Sequence, residues 1–224
     1  MESFFARPAV VLVVLAALNV LNFTDRFLIQ GFAVDLIADL HLSNMQFTLL
    51  TGFAFTLFYT VAGVWMGALA DRVHRPRLIA GGLCAWTALT SATALVGSFC
   101  QLAIVRTLTG IGEATLTPAA IGLLADTQPT RRRALATGIY YLGAPVGIGG
   151  AFLLAGMLGP AIGWRRGFIV LGSAGLVLAL AATRLRETRA GLAAIASGRA
   201  RPLRAAALRE VTIALRGSPA RWAF

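Results

Sequence analysis

Long apolar segments, separated by short polar or basic connections, dominate the pattern of this 224-residue chain. The stretches 42–70, 78–105 and 134–164 contain no Asp, Glu, Lys or Arg. Because a helix needs about 20 apolar residues to cross a bilayer, the pattern predicts an all-α integral membrane protein. Its six spans are predicted near residues 9–31, 44–70, 78–97, 100–125, 134–159 and 167–183.

Local signals refine these spans. Ser43 and Gln46 form an S-x-x-Q capping box, which marks the start of the second span. Pro118 and Pro145 predict interruptions of the fourth and fifth spans, because proline has no N–H to donate to the preceding turn. The short connections favour antiparallel neighbouring helices.

The composition agrees with a membrane location. The chain is 58% hydrophobic and 13% charged, with a mean hydropathy of +0.77, whereas soluble domains are about 25% charged. These values exclude a disordered chain, a collagen-like fibre and most soluble enzymes. The net charge of +11 would suggest nucleic acid in a soluble protein, but here the basic residues lie mostly just outside the spans, so no nucleic-acid partner is expected.

The arginines predict the orientation. All 20 basic residues are arginine, and 16 of them fall on the side of the two termini and of the second-to-third and fourth-to-fifth connections. Only Arg165 and Arg166 fall on the other side. By the positive-inside rule, both termini should be cytoplasmic and the protein should be a multi-pass protein of the inner, or plasma, membrane. No cleavable signal peptide is evident at the start of the chain.

Three regions are predicted. Residues 1–183 form the six-span transmembrane bundle. Residues 184–220 form a basic cytoplasmic connector that lies on the anionic leaflet. Residues 221–224, a basic residue followed by aromatics, resemble the start of a further span.

Four charged residues lie inside predicted spans, where a charge costs at least about 2.5–3.5 kcal/mol on insertion scales. They are Asp25 and Arg26 in the first span and Arg106 and Glu113 in the fourth. Arg106 and Glu113 are two helical turns apart and share one face, which must look inward. Two interpretations stay open: the carboxylates carry protons while the arginines bind an anion, or the four are permanent ion pairs that hold spans one and four together.

Other chemistry is not indicated. Cys84, Cys100, His41 and His74 have no metal-ligand spacing, and the spans contain neither H-E-x-x-H nor G-x-S-x-G. We therefore expect no metal site, no catalytic residues and no cofactor, and the protein is not predicted to be an enzyme.

The connection between spans two and three carries a family resemblance. It reads Gly67-Ala68-Leu69-Ala70-Asp71-Arg72-Val73-His74-Arg75-Pro76-Arg77, which resembles the signature loop of the major facilitator superfamily. That resemblance implies a conformational latch, with no contact to substrate, formed by Gly67, Asp71, Arg72, Arg75 and Arg77.

Two further segments resemble the same superfamily. Residues 106–114 resemble its R-x-x-x-G motif in span four, and residues 143–150 resemble its glycine- and proline-rich motif in span five. The resemblance implies helix-packing or hinge roles for Gly110, Gly143, Pro145 and Gly147.

Span one narrows the resemblance. Asn22-Phe23-Thr24-Asp25-Arg26-Phe27 is similar to the N-x-x-D-R of spinster-like transporters, and residues 49–55 and 110–125 are also similar to that branch. The branch implies a secondary active transporter, proton-coupled, of an organic or amphipathic (lysolipid-like) anion, which works by alternating access. It also implies that Asp25, Arg26, Arg106 and Glu113 line the cavity and couple to protons. The organic anion symporter branch shares the D-R and E-A features and is the alternative.

The length departs from this pattern. Complete members have twelve spans in two six-span halves, each a 3+3 inverted repeat. The chain is therefore expected to be an N-terminal half or a fragment. Its expected partners are the missing C-terminal six-span half or a second copy, membrane lipids, protons and a small-molecule or lipid-like substrate. A truncated membrane protein that does not transport is the other interpretation.

Overall fold

The computed structural model describes residues 7–196 of the chain. The predicted connector, 184–220, is therefore described only as far as Ala196, and the predicted start of a further span at 221–224 lies outside the described residues. Within residues 7–196 the helices are α1 (Pro8–Gly31), α2 (Ala33–Asp39), α3 (Asn44–Thr48), α4 (Phe55–Ala70), α5 (Arg75–Ala92), α6 (Phe99–Glu113), α7 (Leu116–Thr127), α8 (Arg133–Tyr141), α9 (Gly143–Ala182) and α10 (Arg189–Ala196). A π-helical segment, Leu49–Ala54, joins α3 to α4, and 3-10 turns occupy Thr93–Leu95 and Thr130–Arg132.

In the described part of the chain, five continuous helical stretches are long and apolar enough to cross a membrane. They are Pro8–Gly31, Asn44–Ala70, Arg75–Leu95, Phe99–Thr127 and Thr130–Ala182. Their outer bounds agree with the predicted spans to within about one helical turn. The third span begins at Arg75 rather than 78, because Pro76 stands in the first helical turn, where proline needs no hydrogen-bond partner.

The fifth stretch folds back on itself at Gly163. This glycine has φ +73° and ψ 165°, a conformation that L side chains rarely adopt. The ring of Phe32 lies against Gly159, before the turn, and against Gly167, after it. The segments before and after Gly163, here called the first and second arms, therefore lie side by side. Residues 7–196 therefore contain six candidate membrane crossings, the number that the hydropathy pattern predicts.

Direct contacts give the direction of each arm. Gly143 lies against Asn19, and farther along the first arm Gly159 lies against Phe32, so this arm runs parallel to α1. On the second arm Gly175 lies near Leu21, so the chain returns antiparallel to α1. Helix α1 is thus flanked by both arms, and its apolar residues Leu15, Leu18 and Ile29 are fully buried.

The prolines break spans four and five as predicted. Helix α6 ends at Glu113 and α7 begins at Leu116, two residues before Pro118. In span five, α8 ends at Tyr141 and α9 begins two residues before Pro145. In both spans the break comes where the proline cannot donate to the carbonyl one turn earlier. The break in span four places Glu113 at a helix end in the middle of a membrane span.

Span two begins at a capping box and has an uncovered apolar face. The Ser43 hydroxyl accepts a bond from the Gln46 amide (3.1 Å), and the Gln46 side chain accepts one from the Ser43 amide (2.9 Å), so the predicted capping box is present. Beyond it, span two leaves large apolar side chains uncovered, among them Phe53 and Trp65, which are 67% and 72% exposed. Such a face is suited to lipid or to another membrane helix.

Candidate functional site

The four charges predicted inside the spans come together between α1 and α6. Arg26 donates to Glu113 from both Nη2 (3.0 Å) and Nε (3.2 Å), the two bonds ending on one carboxylate oxygen. Arg106 Nη1 lies 3.7 Å from Asp25 Oδ1, and Arg106 Nη2 donates to the Arg26 carbonyl (3.4 Å). The pairs therefore cross between helices, and neither forms within one helix. We call these four residues the charge cluster.

The local sequence explains the crossed pairing. Consecutive residues on a helix point about 100° apart, so Asp25 and Arg26 cannot face one another and reach different positions on a neighbouring helix. Arg106 and Glu113 share a face but stand two turns apart, about 10 Å along the axis. Asp25 therefore reaches Arg106, and Arg26 reaches Glu113.

Burial distinguishes one member of the charge cluster from the other three. Asp25, Arg106 and Glu113 are at most 2% exposed, whereas the Arg26 side chain is 19% exposed. Arg26 is therefore the member of the charge cluster that the described residues leave accessible.

Three aromatic rings frame that guanidinium. The Arg26 Cζ atom lies 4.1 Å from the ring centroid of Tyr59, 5.0 Å from that of Phe55 and 5.1 Å from that of Phe23. These distances are within the range of cation–π attraction. Gly110 makes room for Phe55, because a Cβ on Gly110 would approach the ring to 3.1 Å.

Sequence reasoning did not single out Phe55 and Tyr59. They stand four residues apart, so they share a helix face, and their rings stack at 6.0 Å between centroids. The π-helical segment Leu49–Ala54 directly precedes them, and π-helical turns are frequent at functional sites. The sequence signal that could have identified them is the spacing of two aromatic residues one helical turn apart, in a span that neighbours charged spans.

Thr90 of α5 is a second residue that the sequence analysis missed. Its hydroxyl is within hydrogen-bonding reach of Asp25 Oδ2, and it also lies 2.9 Å from the Trp86 carbonyl. Thr90 is one of several threonines in span three, and nothing in the sequence marks it out. Span three thus joins spans one and four around Asp25.

Several polar atoms of the charge cluster are incompletely bonded among the described residues. Asp25 Oδ1, Glu113 Oε1 and the Nε and Nη1 atoms of Arg106 are buried without a hydrogen-bond partner. Buried polar groups are nearly always bonded, so atoms of this kind point to a function rather than to stability alone. Each carboxylate therefore has one oxygen without a hydrogen bond within the described residues.

The signature loop places its residues in two environments. Arg75 is buried, and its Nη1 bonds to Asp126 at 2.9 Å while its backbone N–H donates to Glu187 at 2.8 Å. Arg72 and Arg77 are exposed, and Asp71 ends α4. Sequence reasoning missed Asp126 and Glu187, which connect the ends of spans four and six to the start of span three.

The predicted packing positions lie at close helix contacts. A Cβ on Gly147 would come within 2.5 Å of the Val20 carbonyl, and one on Gly143 within 3.0 Å of the Asn19 side chain. A Cβ on Gly67, a residue of the predicted latch, would meet only Pro118, at an ordinary contact distance of 3.9 Å. Glycines therefore allow a close approach of α1 and α9, as small residues do in membrane proteins.

Comparison with known proteins places this arrangement in a family. The family model of the Major Facilitator Superfamily matches residues 15–224. The chain belongs to the major facilitator superfamily. Its six crossings are those of one half of that fold, and its relatives place it in the spinster-like branch.

Relatives and a solved structure agree. An MFS-type efflux pump of Mycolicibacterium smegmatis is 34% identical over 166 residues, which is 74% of this chain and 39% of the pump. Protein spinster homolog 1 of Homo sapiens is 30% identical over 64% of this chain and 27% of its own length. The inward-facing, unoccupied crystal structure of a bacterial homolog of the human lysosomal transporter Spinster superimposes with a TM-score of 0.73 at 32% identity, covering 80% of this chain and 44% of that one. The chain therefore spans less than half the length of these proteins.

Proposed function

We propose that the protein containing this chain is a proton-coupled secondary transporter of an amphipathic organic anion, and that it works by alternating access. The chain supplies one six-span half and hence one wall of the transport cavity. The observation that carries the proposal is the charge cluster, in which two carboxylates and two guanidinium groups meet within a membrane bundle. Intramembrane charges at such a cost are retained for transport pathways and proton relays.

The carboxylates of Asp25 and Glu113 are the proton carriers. Each is buried, each is paired with an arginine, and each keeps an oxygen without a protein donor among the described residues. The arginines stay charged, because guanidinium groups do not lose a proton in proteins. A proton that enters the charge cluster therefore resides on a carboxylate.

Arg26 is the anion-binding group. When Glu113 takes up a proton, its attraction for Arg26 falls, and the guanidinium is released to an anionic headgroup in the cavity. Arg26 is the member of the charge cluster that a ligand can reach, and it stands beside Tyr59 and Phe55. Aromatic rings next to a cation suit a substrate that carries an apolar part beside its charge.

The names of relatives support the same class of substrate. One relative is a probable sphingolipid transporter, spinster homolog 1 of Arabidopsis thaliana, 25% identical over 74% of this chain. A phosphorylated sphingoid base and a lysophospholipid both carry a phosphate head beside a long hydrocarbon chain, which is the chemistry that Arg26 and its aromatic frame would accept. We therefore assign a lysolipid-like anion as the substrate class.

The signature loop lies at the end of the bundle where spans two and three connect, and there it acts as the latch. Arg75 pairs with Asp126 and lies 3.9 Å from Glu187, so it connects the start of span three to the ends of spans four and six. Asp71, Arg72 and Arg77 lie closer to the surface, where they can meet the other half of the protein. By the positive-inside rule, the end of the bundle that carries the signature loop lies on the cytoplasmic side of the inner membrane, together with both termini of the six-span half.

Flux measurements test the proposal. The full-length protein is reconstituted in liposomes, and uptake of labelled lysophospholipids and other amphipathic anions is followed under an imposed pH gradient. Asp25→Asn and Glu113→Gln should each lower pH-driven flux by at least about a hundredfold, the lower end of the range for a lost general acid–base group. Asp39→Asn is the matched control, because Asp39 pairs with Arg165 at an exposed turn away from the charge cluster.

Two results would contradict the proposal. Normal pH-driven flux in both cluster variants would show that the carboxylates do not couple to protons. Absence of flux in every form, including the Asp39→Asn control, would support the interpretation that the charges only hold spans one and four together.

A further inference from the structure

The hydroxyl group of Thr90 lies between two hydrogen-bond acceptors. One is Oδ2 of Asp25, and the other is the carbonyl oxygen of Trp86, one turn earlier on the same helix, at 2.9 Å. All three residues are at most 1% exposed. A hydroxyl has one hydrogen and two lone pairs, so it cannot donate to both acceptors at once.

We propose that Thr90 is a positioning residue for Asp25 and that its hydroxyl reverses its hydrogen bond when Asp25 changes protonation state. This inference rests on the proton coupling proposed above. While Asp25 is ionised, the Thr90 O–H donates to the carboxylate. Oδ1 of Asp25 faces the Arg106 guanidinium, so a proton that Asp25 takes up from cavity water resides on Oδ2. The new Asp25 O–H then donates to Thr90 Oγ1, and the Thr90 hydrogen turns to the Trp86 carbonyl.

This exchange keeps Asp25 Oδ2 and the Thr90 hydroxyl hydrogen-bonded to each other in both states. Thr90 keeps its own hydrogen throughout, the added proton stays on Asp25, and only a rotation about the Thr90 C–O bond is needed. A side chain that could only donate would leave the protonated Asp25 O–H without an acceptor. A buried polar group without a partner is unfavourable, so such a side chain would favour one state and slow the cycle.

The charges around Asp25 are independent of Thr90. Those that face Asp25 are Arg106 and Glu113 on α6 and Arg26 on α1 itself. A change of Thr90 to a neutral side chain leaves all of them in place. An effect of such a change on proton uptake is therefore an effect of the hydroxyl and not of the net charge.

The same helix supplies a matched control. The Thr87 hydroxyl donates to the Leu83 carbonyl at 2.7 Å, and Thr87 is as deeply buried as Thr90. It thus makes the same back-bond within α5 without a bond to Asp25. Thr87→Val removes a hydroxyl of equal burial from the same helix and measures the purely structural cost.

Infrared difference spectra provide a readout separate from flux. Spectra of the full-length protein in lipid are recorded between high and low pH, and the C=O band of protonated Asp25 is identified by its loss in Asp25→Asn. In Thr90→Val this band should move, because its hydrogen-bond partner is gone, and the pH profile of flux should shift by about one unit or more, as for a lost hydrogen bond to a charged group. Thr90→Ser, which keeps the hydroxyl, and Thr87→Val should match the wild type in both measurements.

The outcomes separate the two proposals. If the Asp25 band is present but Thr90→Val leaves it and the pH profile unchanged, the role of Thr90 is overturned while proton coupling stands. If no Asp25 band appears in the wild type, Asp25 does not bind the proton, and both proposals are overturned at this residue. Thr90→Ala, which is smaller than threonine and adds no bulk, repeats the comparison if Thr90→Val does not fold.

Discussion

The ion pair between Arg26 and Glu113 makes the sharpest test of the charge cluster. At 3.0 Å and an effective dielectric constant of about 20, two unit charges attract by about 5.5 kcal/mol. Removing one partner of a buried pair leaves the other uncompensated and costs about 3–5 kcal/mol. Removing both partners takes away that uncompensated charge, so the double variant should cost little more than either single one.

A double-mutant cycle measures this coupling. The free energy of unfolding is determined for the wild type, Arg26→Gln, Glu113→Gln and the double variant by detergent titration followed by circular dichroism. We expect a coupling energy above about 2 kcal/mol, since neutral interhelical hydrogen bonds in a membrane protein reach at most about 1.7 kcal/mol. The second cycle uses Asp39→Asn and Arg165→Gln, whose side chains are 43% exposed, and should give less than about 1 kcal/mol. Equal coupling in the two cycles would refute the reasoning that burial of the crossed pair sets its strength.

Three further predictions concern packing and the latch. Gly147→Ala should destabilise the bundle by about 1–3 kcal/mol, because its Cβ would come within 2.5 Å of a carbonyl of α1, whereas Gly149→Ala, which meets nothing within 4 Å, should be neutral in the same unfolding titration. Gly163→Ala should lower the free energy of unfolding by about 1–2 kcal/mol, because it forces φ +73° on an L side chain. Gly156→Ala, where a Cβ meets nothing within 4 Å, is its control. Equal stabilities of the two variants would argue against a strained turn. Arg75→Gln should lower the free energy of unfolding by about 3 kcal/mol, because it removes the guanidinium that pairs with Asp126 and lies 3.9 Å from Glu187. An unchanged midpoint would show that this ion pair adds no stability.

Much of the fold was predictable because its determinants are local. Span positions follow from the hydropathy of single segments, and the capping box and the proline breaks depend on residues within one turn. The four intramembrane charges were predictable as a set because their cost makes each one conspicuous. The crossed pairing was not, since it depends on how α1 and α6 lie against each other, which no local pattern encodes.

The missed residues share a different property. Tyr59, Phe55 and Thr90 are ordinary residues for an apolar span, and only the approach of Arg26 or Asp25 from another helix gives them a role. Asp126 and Glu187 stand at helix ends where acidic residues are common. Such contacts are long-range, and the sequence alone does not say which ends meet.

The crossed pairs can form only some seconds after span one has been synthesised. The partners of Arg26 and Asp25 are about 80–90 residues farther along the chain, so at about 5–20 residues per second the ribosome needs roughly 4–17 s to make them. During that interval span one carries two charges side by side, each costing about 2.5–3.5 kcal/mol in lipid. Span one therefore carries these two charges without their partners until span four has been made, and the crossed pairs can form only after both spans are present.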